Sequence, residues 1–146
     1  MLDLDEALKL DNQLCFPLYA AARKVTSSYT PFLKPLGLTY TQYIVLMVLW
    51  ENDNLSVGQI CNRVHLDSGT ITPLLKKMES LGYLIRTRSP EDERQVLISL
   101  TEEGKGLKQK VAKVPESVGS CINLTPKEAE ALYILLYKVI ESGQAE

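Results

Sequence analysis

The strongest constraint on the fold lies between residues 55 and 100, where two short amphipathic patterns are joined by almost no chain and followed by two β-like runs. Ser56 and Gln59 have capping-box spacing, and Val57, Ile60, Cys61 and Val64 then form an apolar stripe. Asp67 is placed to cap the next helix, whose Ile71, Leu74, Leu75, Met78 and Leu81 share a face, with Gly82 as its left-handed terminator. Two such helices with a tight joint have helix-turn-helix geometry. Leu84 to Ser89 and Gln95 to Leu100 then read as strands, and the charged Pro90–Arg94 segment between them makes a natural wing.

Helical patterns flank this unit. A first helix is expected from about Asp11 to Ser28, with Leu14, Leu18, Ala21 and Val25 on one face and Cys15, Tyr19, Ala22 and Thr26 on the next. It is apolar on more than one side, so it either sits deep in one subunit or is shared between two; Pro17 either bends it or occupies its first turn. A short helical segment fits Pro31–Leu36. Thr39 and Gln42 then cap a core helix carrying Tyr43, Ile44, Met47, Val48 and Trp50. Thr101 introduces a lysine-rich helix that Pro115 kinks or breaks, and Thr125, Pro126 and Glu128 announce the last helix, with Leu132, Leu135, Leu136, Val139 and Ile140 on its apolar face. The fold class expected is mainly α with a small β-hairpin. One domain should span residues 1–146, with dimerisation helices at 1–38 and 101–146 around a winged helix-turn-helix at 39–100.

Charge narrows the partner. A formal net charge of −2 argues against a protein that coats nucleic acid indiscriminately. The charge is uneven, however: Arg63, Lys76, Lys77, Arg86 and Arg88 against Asp67 and Glu79 leave +3 between residues 63 and 88, whereas the first eleven residues carry −3. A localised basic face permits contact with double-stranded DNA. Asp67, Ser68, Thr70 and Thr72 stand at the start of the second helix, where they are either caps or groups for base edges and phosphates; Lys76 follows on the same helix. Arg86, Arg88 and Arg94 are within reach of phosphates or the minor groove, or are neutralised by Glu91, Asp92 and Glu93, and Asp92 is placed to hold the Arg94 guanidinium. A single module makes few contacts, so a homodimer on a pseudo-palindromic promoter site is expected, the terminal helices supplying its interface.

The three cysteines, Cys15, Cys61 and Cys121, have no zinc-ligand spacing, and His65 is the lone histidine, so neither a metal nor a cofactor is expected. Cys61 falls on an apolar stripe and reads as packing. No stretch has the form of an export signal or a bilayer span, so residence in the cytoplasm, with no membrane partner, is the expectation. Cys15 is either an ordinary buried cysteine or a reactive one: Tyr19 lies one turn away and Tyr29 and Tyr40 follow, and phenols that donate to a thiolate favour its charged, nucleophilic form. A thiol peroxidase would need an acid–base constellation that does not recur here, so an enzyme is not expected.

The stretches DNQLCFPLYAAAR, LTYTQYIVLMVLWE and LDSGTITPLLKKMESLGYLIRTRSPEDERQVLISLT, with the capped terminal helix, resemble the winged-helix multiple-antibiotic-resistance regulator family over essentially the whole chain. The LCF around Cys15, with Tyr29 and Tyr40, is similar to its peroxide-sensing branch, the organic hydroperoxide resistance repressors. That resemblance implies a homodimeric repressor of peroxide-detoxification genes, with the helix from Asp67 in the major groove and Arg94 of the Asp92–Arg94 pair in the minor groove. It implies that Tyr29 and Tyr40 bind the sensing thiol of Cys15, with Tyr19 in the same pocket, and that organic or lipid hydroperoxides oxidise it to a sulfenic acid. Cys121 lies near the resolving cysteine of two-cysteine members; it either closes an intersubunit disulfide or is a surface or packing residue, and a low-molecular-weight thiol forms a mixed disulfide instead. An alternative is a regulator released by a small aromatic or phenolic ligand, with Cys15 only lining the pocket.

Overall fold

In the middle of the chain each helix starts where a side chain takes over the first free amides. Thr39 and Gln42, and Ser56 and Gln59, form reciprocal capping boxes, and Asp67 and Thr101 accept from Thr70 and Gly104. In the computed structural model, which describes residues 3–143, the helices are α1 (Leu4–Ala7), α2 (Cys15–Ser27), α3 (Thr30–Leu33), α4 (Tyr40–Glu51), α5 (Val57–Val64), α6 (Ser68–Ser80), α7 (Glu102–Lys110), α8 (Val114–Gly119) and α9 (Pro126–Glu141). The strands are β1 (Leu55–Ser56), β2 (Leu84–Arg88) and β3 (Val96–Leu100). Residues 1–2 and 144–146 of the expected 1–146 domain lie outside the described residues.

The mainly helical class with a small hairpin is as expected, and one strand is added to it. β1 pairs antiparallel with β3 (Leu55 opposite Ile98), giving the order β1-β3-β2, and β2 pairs with β3 so that Leu84 faces Leu100, Arg86 faces Ile98 and Arg88 faces Val96. Two residues are too few to show a period, so only the pairing defines β1.

The core gathers on α4, which buries Tyr43, Val45, Leu46, Val48 and Leu49; Ile44, Met47 and Trp50 are half-buried. Ile60 of α5, Ile71, Leu75 and Met78 of α6, Leu84 of β2 and Ile98 and Leu100 of β3 close on it. Leu107, Val111, Val114 and Val118 carry the same core into α7 and α8. Cys61 packs half-buried against it, as its stripe indicated.

One helix boundary differs from the sequence expectation, and two prolines shape helices further along. α2 begins at Cys15, not near Asp11, because Asp11 belongs to a 3-10 turn (Leu10–Asn12) and Gln13 is extended. The Asn12 and Gln13 side-chain amides donate back to the carbonyls of Glu6 (2.7 Å) and Ala7 (2.6 Å), which competes with helix. Pro17 therefore sits in the first turn of α2, where its missing N–H has no intrahelical acceptor to lose. The lysine-rich helix is broken into α7 and α8, with Pro115 in the first turn of the second piece. Pro73, passed over in the sequence reading, lies inside α6 and removes its bond to the Gly69 carbonyl.

The terminal helices are nearly bare. Neither α2 nor α9 has a buried residue: Leu14 is 84% exposed, and Leu132, Tyr133, Ile134 and Leu135 all face outward. Among the described residues no single helix is long and apolar enough to cross a membrane.

Candidate nucleic-acid interface and thiol site

A tight joint between α5 and α6 sets the start of the second helix. His65 takes a left-handed conformation (φ 55°), which turns the chain at once into Asp67, whose Oδ1 accepts from the Thr70 amide at 2.7 Å. Asp67 is thus occupied as a cap. Ser68, Thr70 and Lys76 are exposed on the open side of α6, whereas Thr72 is half-buried at a cleft of about 220 Å³ that it shares with Val57, Leu75, Arg86, Arg94 and Val96. Free amides at the start of α6 add donors for an anion at the same end.

Each wing residue has a distinct environment. Arg86 is bound to Glu79 of α6, its Nε and Nη2 both donating to Oε1 at 3.2 Å. The Arg86 amide donates to the same carboxylate, and these bonds hold the Glu79 carboxyl below the usual range. Arg88 reaches across the turn, Nη1 donating to the Glu93 carbonyl at 2.8 Å. Asp92 organises Arg94 through the main chain: its Oδ1 accepts from the Arg94 amide at 3.0 Å, not from the guanidinium as the sequence suggested. A side chain two residues back reaches the amide before it reaches the end of a long side chain. Ser89, buried, accepts from the amides of Glu91 and Asp92 and stiffens the turn. The Arg94 guanidinium makes no ion pair among the described residues.

Cys15 is the first residue of α2, a free and exposed thiol. Tyr29 lies two residues beyond the far end of that helix, about 20 Å away at 1.5 Å per residue. Tyr29 and Tyr40 pack with ring centroids 4.8 Å apart, and Tyr43, read from sequence as core alone, joins them at 5.7 Å from Tyr29. Burial and the neighbouring Tyr29 raise the Tyr40 pKa, and burial chiefly raises that of Tyr43, so both remain O–H donors. One chain therefore assembles the phenols but does not bring Cys15 to them. Tyr19 is exposed and held by Arg23, whose guanidinium donates to its hydroxyl at 3.4 Å and lies 5.6 Å from its ring centroid. An open groove of about 640 Å³ runs along α2 from Phe16 and Tyr19 to Thr30 and Tyr40. Cys121 is exposed just beyond α8, its Sγ 3.5 Å from the Ser117 carbonyl.

The sequence reading missed Glu79 and Arg23. Arg23 was legible at four residues from Tyr19 on one helix; Glu79 was not, because its partner comes from another element.

Comparison with known proteins gives a consistent result. The family model for the transcriptional regulators SarA/Rot matches residues 27–111. The organic hydroperoxide resistance transcriptional regulator of Bacillus subtilis is 45% identical over 135 residues, covering 92% of each chain. Reduced AbfR of Staphylococcus epidermidis bound to DNA superposes with a TM-score of 0.77 at 34% identity, covering 93% of both chains. The disulfide form of AbfR superposes with 0.64 at 38% identity, covering 94% of this chain and 96% of that one.

Proposed function

This chain belongs to the multiple-antibiotic-resistance (MarR) family of winged-helix transcriptional regulators, and from that membership we propose that it is a homodimeric, redox-responsive repressor that binds pseudo-palindromic promoter DNA and leaves it when Cys15 is oxidised by an organic or lipid hydroperoxide. The observation that carries this reading is the exposed Cys15 at the head of α2, on a chain 45% identical to an organic hydroperoxide resistance regulator. The family consists of transcriptional regulators, and the chemistry assigned to this chain is a stoichiometric event.

The DNA-facing set is the start of α6 and the wing. Ser68, Thr70 and Lys76 lie on the open side of the helix, with Thr72 at its edge, for the major groove, and Arg94, its backbone fixed by Asp92, serves the minor groove. Asp67 acts through the cap, and Arg88 braces the turn.

The sensing site is composite. Since α2 separates Cys15 from Tyr29 by about 20 Å, and Tyr40 packs on Tyr29, the phenols reach this thiol from the other chain: an antiparallel two-fold pairing of the α2 regions sets Cys15 of one protomer beside Tyr29 and Tyr40 of the partner subunit. The unburied apolar faces of α2 and α9 supply the surface for such a pairing. The Tyr40 hydroxyl, kept protonated by burial, donates to the Cys15 thiolate, with Tyr29 packed beside it. The thiolate sulfur bonds to the terminal peroxide oxygen as the O–O bond breaks; the alkoxide leaves, takes a proton and departs as an alcohol, and Cys15 becomes a sulfenic acid. The thiolate of Cys121 from the other chain, or of a low-molecular-weight thiol, then attacks the sulfenic sulfur and expels hydroxide, giving a disulfide. New atoms at Cys15 disturb the phenol contacts, the two α2 regions shift, and the two winged helices no longer match both half-sites.

The alternative is release by a small aromatic or phenolic ligand in the groove that Phe16, Tyr19 and Tyr40 line. Cys15→Ser separates the two. In fluorescence anisotropy with a promoter fragment, the variant is expected to bind like reduced wild type and to stay bound on adding cumene hydroperoxide. Release of the variant by peroxide overturns sensing by Cys15; release of both proteins by an aromatic ligand alone favours the alternative.

A further inference from the structure

Glu79 faces the wing from the last turn of α6, and its carboxylate collects three donors from one residue, Arg86: the amide at 3.0 Å and the guanidinium Nε and Nη2 at 3.2 Å each. β2 is an edge strand of the β1-β3-β2 sheet, so the Arg86 amide is donated to α6 in the place of a missing strand. A planar guanidinium fork with a main-chain donor beside it fixes direction as well as distance, which a flexible lysine pair does not. We propose that Glu79 is a positioning residue for DNA recognition: through Arg86 it locks β2 to the recognition helix, so that helix and wing meet the duplex at one fixed spacing. This inference rests on the winged-helix reading above and adds a residue to it.

Charge gives Glu79 a second effect at the same place. Arg86 and Arg94 line one cleft between α6 and the wing. Glu79 neutralises Arg86 there, whereas Arg94 has no ion pair among the described residues, and the negative charge of Glu79 disfavours indiscriminate attraction to phosphate. As a partly exposed ion pair it adds little to stability. Its consequence is the gap between operator and random-sequence affinity.

The test is Glu79→Gln, nearly isosteric, with reduced protein on its operator and on a random duplex over a range of salt concentrations. The wing loses its register, so operator affinity falls. One negative charge is gone, so random-duplex affinity rises and its salt slope steepens by about 1. The ratio of the two is expected to drop about tenfold or more, and amide exchange at Arg86 to quicken about tenfold, as expected for a lost bond to a charged acceptor. Arg86→Lys, which keeps the charge but not the fork, should lower operator affinity without raising random-duplex affinity. An unchanged ratio overturns the inference, whether or not Arg86 exchanges faster. So does an equal fall on both duplexes, the mark of a residue that only supports folding. A wild type with no operator preference overturns the functional reading itself, a result visible before any variant is made.

Discussion

Gly104 and Gly106 stand two residues apart in α7, and the same substitution should have opposite effects on them. Alanine in a helix interior is favoured over glycine by about 1 kcal/mol. A Cβ at Gly106 meets nothing within 4 Å, so Gly106→Ala should collect that gain, about 0.5–1 kcal/mol. A Cβ at Gly104 would lie 2.0 Å from the Tyr83 carbonyl oxygen, 3.0 Å from its carbon and 3.2 Å from Leu100 Cδ2. The nearest atoms are main chain, so relief requires α7 to move away from the start of β2. That movement strains the Trp50 indole bond to the Gly104 carbonyl (3.0 Å) and the Thr101 amide bond to the Tyr83 carbonyl (3.1 Å), each worth about 1 kcal/mol. With overpacking of about 1–3 kcal/mol added and the helix gain subtracted, Gly104→Ala should lose about 2–4 kcal/mol net. Urea denaturation followed by fluorescence reads the site directly, because Trp50 is the lone tryptophan of the chain. Protomer concentration must be held constant, since association contributes to the apparent stability. Equal stability of the two variants, or a more stable Gly104→Ala, would refute the packing of α7 against the start of β2.

Arg94→Ala should weaken operator binding and reduce the salt slope by about 1 with an unchanged melting curve, measured by anisotropy at several ionic strengths; an unchanged slope removes Arg94 from the phosphate and groove contacts. Asp67→Ala removes the cap on Thr70 and should destabilise the reduced protein by about 1 kcal/mol in urea while lowering operator affinity; wild-type stability would show that α6 does not depend on this cap. Tyr83→Phe deletes the 3.0 Å hydroxyl bond to the Leu36 carbonyl, which ties the start of β2 to the segment beside the tyrosine cluster, and should cost about 1 kcal/mol with operator binding retained. Unaltered stability on equilibrium unfolding would place that hydroxyl in water instead.

What was legible in the sequence was local. The capping pairs Thr39–Gln42, Ser56–Gln59 and Thr125–Glu128 join residues three apart, so spelling alone places those helix starts, and all three form. Gly82 is left-handed (φ 83°) where the helix was expected to stop. The hairpin was visible because its strands flank a turn that no helix tolerates. What was hidden depends on contacts between elements. β1 exists only through β3, and the Glu79–Arg86 clamp only because the wing folds back on α6. The start of α2 at Cys15 depends on side chains that bond backwards to α1. Most consequential is the proposed thiol site: Cys15 and Tyr29 lie in one stretch of the sequence, yet helix α2 stands between them. The residues were legible, but not the distance that the intervening helix puts between Cys15 and Tyr29.

Whether the state of one sulfur sets promoter occupancy is read by titrating the operator-bound dimer with substoichiometric cumene hydroperoxide while intact mass and fraction of DNA bound are followed on the same samples. DNA should be lost in proportion to modification at Cys15 and regained when a dithiol restores the original mass. Full occupancy of the operator after complete modification of Cys15 would contradict this dependence.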